Sequence, residues 1–193
     1  MTMKKGLFTS VVLGLALTIG GCASITSATH QGPIDENYGE RTFGSQVEDQ
    51  SIETKISHNL GSQDARFNDA HVNVDSYNGI VLLTGQVPSQ ELKDKATSIA
   101  QAVRNVRQVH NELTVAANAP IAQRTTDTWV TARIRTRLIA NENIDAGRIR
   151  ATTENGSVYL MGLVTHAEGD RVVNAISDIG GIQRIVKVFE YID

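Results

Sequence analysis

The chain has 193 residues, of which 40% are hydrophobic and 20% are charged, so most of its length can contribute to a folded core. Its formal net charge is −3, and without Lys4 and Lys5 there remain 16 basic against 21 acidic side chains. This acidic balance excludes a general nucleic-acid-binding protein, which needs a basic surface. The single cysteine, Cys22, excludes an intramolecular disulfide.

Residues 1–21 are predicted to form a secretory signal peptide. Lys4 and Lys5 give a short basic start, and the apolar stretch at residues 6–19 is 14 residues long. This stretch is too short for a membrane-spanning helix, which needs about 20 residues, but its length fits the hydrophobic region of a signal peptide. We therefore expect the rest of the chain to be exported.

The segment that ends at Cys22 resembles the lipobox of bacterial lipoproteins, in which an aliphatic and two small residues precede a modified cysteine. Residues 19–21, Ile-Gly-Gly, fit this pattern. The resemblance implies that Cys22 begins the mature chain and carries lipid such as palmitate. Ala23 and Ser24 follow it instead of an aspartate retention signal, which implies attachment to the outer membrane, facing the periplasm. The alternative is an ordinary signal peptide and an incidental cysteine.

A tandem repeat follows residues 22–48, which are rich in Ser, Thr, Gly and charge and which we interpret as a flexible tether. The repeat predicts two small domains at residues 49–115 and 127–193, joined by a linker at residues 116–126. Corresponding pairs lie 76 to 78 positions apart: Asp49 and Asp127, Ile56 and Ile134, Leu60 and Leu138, Asn78 and Asn155, Gly85 and Gly162, Val109 and Ile185.

Each repeat has the pattern of an αββαβ unit. It opens with apolar residues at helical spacing, and Asp127 is a candidate N-cap in the second copy. The Asn-Gly pairs at 78–79 and 155–156 divide alternating apolar segments, as in type I′ hairpins. A second helix and a last strand complete the unit. In the second copy, Thr165 and Glu168 have the spacing of a capping box at the start of that helix. The predicted fold class is α+β, with two tandem three-stranded mixed sheets, each covered by two helices on one face.

This pattern resembles the BON domain family over about residues 49–115 and 127–193, and Gly85 and Gly162 match the family's glycine. Two such domains behind a lipobox are similar to the dual-BON outer-membrane lipoproteins. The resemblance implies that the second domain binds an anionic phospholipid, such as phosphatidylglycerol, and that the protein supports envelope integrity. Three segments carry the similarity to the dual-BON lipoproteins: Asp-Thr-Trp at 127–129, Thr-Thr-Glu-Asn-Gly at 152–156 and Leu-Met-Gly-Leu-Val at 160–164.

The five histidines indicate no catalytic or metal site, because none lies at the i, i+4 spacing of a helical metal pair. His71, Asn73 and Asp75 share one face of a strand, which we interpret as a solvated polar surface, since no nucleophile with an activating base accompanies them. No glycine-rich phosphate loop precedes a helix. We therefore expect no enzyme, no metal and no cofactor.

The two copies differ most on their first helix. At 100° per residue, Trp129, Arg133 and Arg137 fall within about 80° of one another, beside the core stripe that includes Leu138. Tryptophan suits a membrane interface, and arginine binds phosphate with two donors. With the family resemblance, the sequence predicts a phospholipid site formed by Trp129, Arg133, Arg137 and Leu138. The first copy has different residues at the stripe positions: Ser51, Lys55 and Asn59.

Two alternatives stay open from the sequence. Trp129 could cap the core, with Arg133 stacked on its ring by a cation–π contact. The protein could instead be an adaptor that binds envelope proteins, such as outer-membrane assembly machinery or cell-wall enzymes, with Trp129 as the interface anchor.

The last strands of the two copies also differ. Val186 and Val188 occupy the outer sheet face in the second copy, where the first has His110 and Glu112. An apolar outer face requires a cover, which the first domain or a partner protein could supply.

Overall fold

The computed structural model describes residues 39–193; Cys22, the predicted signal and most of the predicted tether lie outside the described residues. The helices are α1 (Phe43–Gln63), α2 (Gln90–Gln101), α3 (Ile121–Ile139) and α4 (His166–Ile176). The strands are β1 (His71–Tyr77), β2 (Ile80–Val87), β3 (Gln108–Asn111), β4 (Thr114–Val115), β5 (Ile149–Glu154), β6 (Ser157–Val164) and β7 (Arg184–Tyr191).

Both repeats have the predicted αββαβ order. In the first, β2 lies between antiparallel β1 and parallel β3, and β4 also pairs with β2 in parallel. In the second, β6 lies between antiparallel β5 and parallel β7. The α+β fold class and its mixed sheets are therefore confirmed. The final strand of the first repeat is interrupted between β3 and β4, whereas β7 runs unbroken for eight residues.

The hairpin turns and one helix start follow the predicted local chemistry. Asn78 and Gly79 have φ angles of 52° and 75°, and Asn155 and Gly156 have 47° and 73°, so both turns have the two positive angles of type I′. The capping box at the start of α4 is present, with the Thr165 side chain accepting from the backbone N–H of Glu168.

Asp127 is not an N-cap, and that prediction was wrong. The helix α3 begins six residues earlier, at Ile121, and the buried Asp127 carboxylate accepts hydrogen bonds from the backbone N–H groups of Asn155 (2.9 Å) and Gly156 (3.0 Å). The aspartate is thus used to bind the hairpin turn instead of the amides of its own helix.

Asp49 makes the equivalent bonds in the first repeat, to the N–H groups of Asn78 (2.8 Å) and Gly79 (2.9 Å). It also lies inside its helix, because α1 begins at Phe43, capped by the Thr42 hydroxyl. Residues 43–48 of the predicted tether and 121–126 of the predicted linker are therefore helical.

The outer faces of the two sheets pack against each other, which confirms that the first repeat supplies the predicted cover. Both sheets thus have helices on one side and the other sheet on the opposite side. The buried residues at this contact are Tyr77, Ile80 and Leu82 from the first repeat and Tyr159, Met161, Leu163 and Val188 from the second.

Polar bonds surround this apolar centre. Arg150 of the second repeat forms ion pairs with Asp75 (2.7 Å) and Glu53 (2.8 Å) of the first. Arg107 donates to both carboxylate oxygens of Glu190, at 2.7 and 2.9 Å, and these bonds lower the pKa of that carboxyl. The sheet contact therefore combines apolar burial with charge-assisted bonds that select one arrangement of the repeats.

Val188→Glu is expected to separate the two sheets. The new carboxylate would be buried among apolar side chains without a partner, which costs roughly 3 kcal/mol or more. Small-angle scattering should show a larger radius of gyration, while circular dichroism stays close to that of the parent protein. Ile192→Glu, just beyond β7 and partly exposed, is the matched control. Unchanged scattering from Val188→Glu would contradict this account of the contact.

Candidate functional site

The structure brings Trp129, Arg133 and Arg137 together along one groove beside α3. The groove has a volume of about 570 Å³, and Asp178 and Gly180, which follow α4, form its other wall. Trp129 is 64% exposed, so its indole ring is available to a ligand. That exposure does not fit the alternative in which Trp129 caps the core, and among residues 39–193 the one cation–π pair is Arg41 over Tyr77.

The two arginines of the groove differ in their partners. Arg137 donates to the Asp178 carboxylate at 3.1 Å and to the Ala175 carbonyl at 3.4 Å. Arg133 is exposed and has no hydrogen bond or ion pair with any residue that the structure describes. Its guanidinium can therefore bind an anion without breaking an existing contact.

Leu138 has to be removed from the predicted set of binding residues. It is 2% exposed and packs in the core of the second repeat with Val130 and Ile134. Its position on the helix, at the far side of the core stripe, points the side chain toward the sheet. Leu138 anchors α3 to the core and does not reach the surface.

Ile121 and Ile139 are surface residues that the sequence reasoning missed. They are 80% and 75% exposed, and because 18 residues are five helical turns they lie on one line of α3. Between them the exposed face of the helix carries no charge. Its members are Ala122, Thr125, Trp129, Ala132 and Thr136. The signal that could have found this strip was the spacing of two isoleucines on the side of the helix opposite the core.

Arginines flank the uncharged strip on both sides. Arg133 and Arg137 lie on one side, and Arg124 and Arg135 lie on the other, at about 220° and 240° from Trp129. The helix contains one acidic residue, Asp127, and that carboxylate is buried on the hairpin turn. α3 therefore presents a basic surface on a chain whose overall charge is negative.

The face that carries His71, Asn73 and Asp75 is part of the contact between the repeats and not a solvated surface. Asn73 donates to the Glu154 carboxylate at 3.0 Å, and Asp75 is buried in an ion pair with Arg150. The alternating pattern located the face correctly, but its polar groups bind the second repeat instead of water.

The described residues hold no group of three or more histidine, cysteine or acidic side chains arranged to bind a metal ion. Within residues 39–193, no helix combines the length and apolarity that crossing a bilayer requires.

The BON domain family matches residues 48–117 and 126–193, and the chain belongs to this family. The two matches cover the two αββαβ repeats, and the glycines of the pattern have a structural reason. A Cβ at Gly162 would lie 2.6 Å from the Arg148 carbonyl oxygen, and one at Gly85 would collide with the His71 carbonyl.

Three relatives resemble the chain over most of their length. It is 33% identical to the outer membrane lipoprotein DolP of Haemophilus influenzae, over 100% of both chains. It is 32% identical to a 21 kDa hemolysin of Actinobacillus pleuropneumoniae, over 84% of this chain and 82% of the relative. It is 24% identical to the osmotically-inducible protein Y of Escherichia coli, over 96% of each. The predicted likeness to dual-BON outer-membrane lipoproteins is confirmed, and no catalytic family is indicated.

Proposed function

We propose that this protein is a lipid-anchored outer-membrane protein that faces the periplasm, binds anionic phospholipid through α3 and supports envelope integrity. The observation that carries the proposal is the exposed face of α3, an uncharged strip with arginines on both sides. The name of the Haemophilus influenzae relative supports the outer-membrane location, and the lipobox at Cys22 supports the lipid anchor.

The geometry of α3 suits a helix that lies flat in a bilayer surface. Ile121, Trp129 and Ile139 would enter the boundary between head groups and acyl chains, where apolar side chains are buried and the indole N–H stays near water. The arginines on either side would then lie at the level of the phosphates, with their apolar stems alongside the lipid. Each basic side chain near an anionic surface contributes about 1 kcal/mol.

Arg133 is the principal phosphate-binding residue of the groove in this proposal, because its guanidinium, unlike that of Arg137, has no partner among the described residues. Arg137 shares its charge with Asp178, an exposed pair of the kind that contributes little and can exchange partners. The bilayer would therefore compete with Asp178 for Arg137 but bind Arg133 directly.

The adaptor function is the second candidate, since an exposed tryptophan and isoleucine also suit a protein partner. The two candidates differ in what the surface needs. A bilayer requires anionic head groups and loses affinity as salt screens the charges, whereas a protein partner requires neither.

Vesicle binding tests the proposal directly. The mature chain with Cys22→Ser, which lacks the anchor, should bind phosphatidylglycerol vesicles, with affinity that falls at least tenfold between 50 and 300 mM salt, about the loss expected from screening several arginines. Phosphatidylcholine vesicles should bind it weakly. Co-sedimentation and the emission shift of Trp129 measure the binding to each kind of vesicle. Equal binding to the two lipids, or no binding to either, would contradict the proposal and favour the adaptor function.

A further inference from the structure

A second exposed apolar pair lies on the first repeat, at the start of α1. Phe43 is 81% exposed and Val47 is 53% exposed. They are four residues apart, so their side chains lie on the same side of the helix. The first turn of α1 contains no acidic residue, Glu48 beside Val47 is half-buried, and Arg41 precedes the helix.

The start of α1 adjoins the end of α3. Arg41, just before α1, lines a cavity of about 360 Å³ together with Arg135 and Ile139 of α3. Ile139 is one of the residues that the proposed function places in the bilayer. Phe43 is two residues beyond Arg41, so the start of α1 is close to that surface.

The chain that leads into α1 is held in place by the folded repeats. Arg148 of the second repeat donates to the Gly39 carbonyl at 2.8 Å. Arg41 forms an ion pair with Asp49 at 2.7 Å and stacks over the Tyr77 ring at 3.6 Å. These bonds fix the position of Phe43 relative to the second repeat.

We propose that Phe43 and Val47 form a second apolar contact with the same anionic bilayer, so that both repeats contribute to the membrane-facing side. This inference rests on the proposed function. A bilayer is the occupant that the observations favour, because the pair closely follows Arg41, which lines one cavity with Ile139 of the α3 surface. It also follows Cys22, the proposed lipid anchor, by only 21 residues along the chain.

With this contact, the protein would bind the membrane through two helices, α1 and α3. α3 alone could rotate about its long axis on the bilayer, whereas a second contact on another helix would fix one orientation. The groove beside Trp129 would then face the bilayer at a constant angle.

Phe43→Ser with Val47→Ser in the mature Cys22→Ser chain should weaken binding to phosphatidylglycerol vesicles about five- to tenfold. Both side chains are exposed, so circular dichroism and thermal unfolding should be unchanged. The Trp129 emission shift at saturating vesicle should be retained, because α3 still enters the bilayer.

A labelling experiment locates the contact independently of affinity. Cys22→Ser removes the chain's only cysteine, so a fluorophore can be attached at Phe43→Cys or, as the matched control on the same helix, at the exposed Thr54→Cys. Brominated lipid should quench the label at position 43 and leave the label at position 54 bright.

Three outcomes would overturn the inference. If the double variant binds normally and position 43 is not quenched, while the parent chain still binds anionic vesicles, this contact is wrong and the proposed function stands. If the parent chain binds no vesicles, the proposed function fails and the contact fails with it. If position 43 is bright on vesicles but protected in isolated envelopes, the occupant is a protein.

Discussion

Asp127→Ala is expected to lower the free energy of unfolding of the second repeat by about 3 kcal/mol. The Asp127 carboxylate is buried and accepts the backbone N–H groups of Asn155 and Gly156 at 2.9 and 3.0 Å. Alanine would leave two N–H groups without an acceptor, and each buried unpaired group costs about 1–3 kcal/mol. The loss would appear as a lower midpoint in urea denaturation followed by circular dichroism.

Matched variants separate the loss of the turn bonds from a general effect of substitution. Thr126→Ala removes an exposed hydroxyl that bonds only to the Ala122 carbonyl of its own helix, and it should change stability by less than about 0.5 kcal/mol. Asp49→Ala should cost the first repeat at least as much as Asp127→Ala costs the second, because Asp49 also accepts from the Ser76 hydroxyl and Arg41.

Hydrogen exchange gives a local measure of the same effect. In Asp127→Ala the amide of Gly156 should exchange much faster than in the parent protein, whereas the amide of Gly79, bound by Asp49, should be unaffected. A small stability change with a still-protected Gly156 would show that water or another acceptor replaces the carboxylate.

Local features of the fold were predictable because they depend on nearby residues. The Asn-Gly turns require two positive φ angles, and both have them. The capping box of Thr165 and Glu168 needs only a spacing of three, and it is present. The repeat itself was visible because the same apolar positions recur at nearly constant offset.

Features that join distant parts of the chain were harder to predict. Asp127 was assigned to a helix start because Asp is a common N-cap, yet its partners lie 28 and 29 residues away. Asn73 binds Glu154, which is 81 positions distant. A single sequence shows that a strand face is polar but does not show whether its hydrogen-bond partners are water or a second repeat.

The candidate site was partly predictable for the same reason. The helical wheel placed Trp129, Arg133 and Arg137 on one side of the core stripe, and they line one groove. Leu138 was included although its angle placed it with the core, where it lies. Ile139 was overlooked because a large apolar residue is normally expected to be buried. Its exposure becomes apparent only in the folded structure, where no other element covers it.

Trp129→Ala combined with Arg133→Glu is expected to reduce the affinity for phosphatidylglycerol vesicles about one-hundredfold. Removal of the indole ring takes away an interfacial anchor, and the glutamate converts attraction of the lipid phosphate into repulsion. Each change is of order 1 kcal/mol or more, so roughly tenfold per residue is expected. Folding should be preserved, because Trp129 is 64% exposed and Arg133 bonds to no described residue.

The first repeat supplies the control for this double variant. Ser51→Ala with Lys55→Glu changes the matching positions of α1 and alters the net charge by the same amount. It should reduce affinity only a few-fold, since α1 has no aromatic anchor at this position. Vesicle titration at fixed ionic strength measures both variants side by side.

The comparison of the two double variants separates three mechanisms. A large loss for the α3 variant alone means that the lipid binds at a defined site on the second repeat. Equal losses mean that the total charge of the protein drives association, because both variants exchange one basic side chain for one acidic one. If neither variant loses affinity while circular dichroism shows both to be folded, α3 does not bind the bilayer, and its exposed tryptophan and isoleucine would instead be the contact for a protein partner.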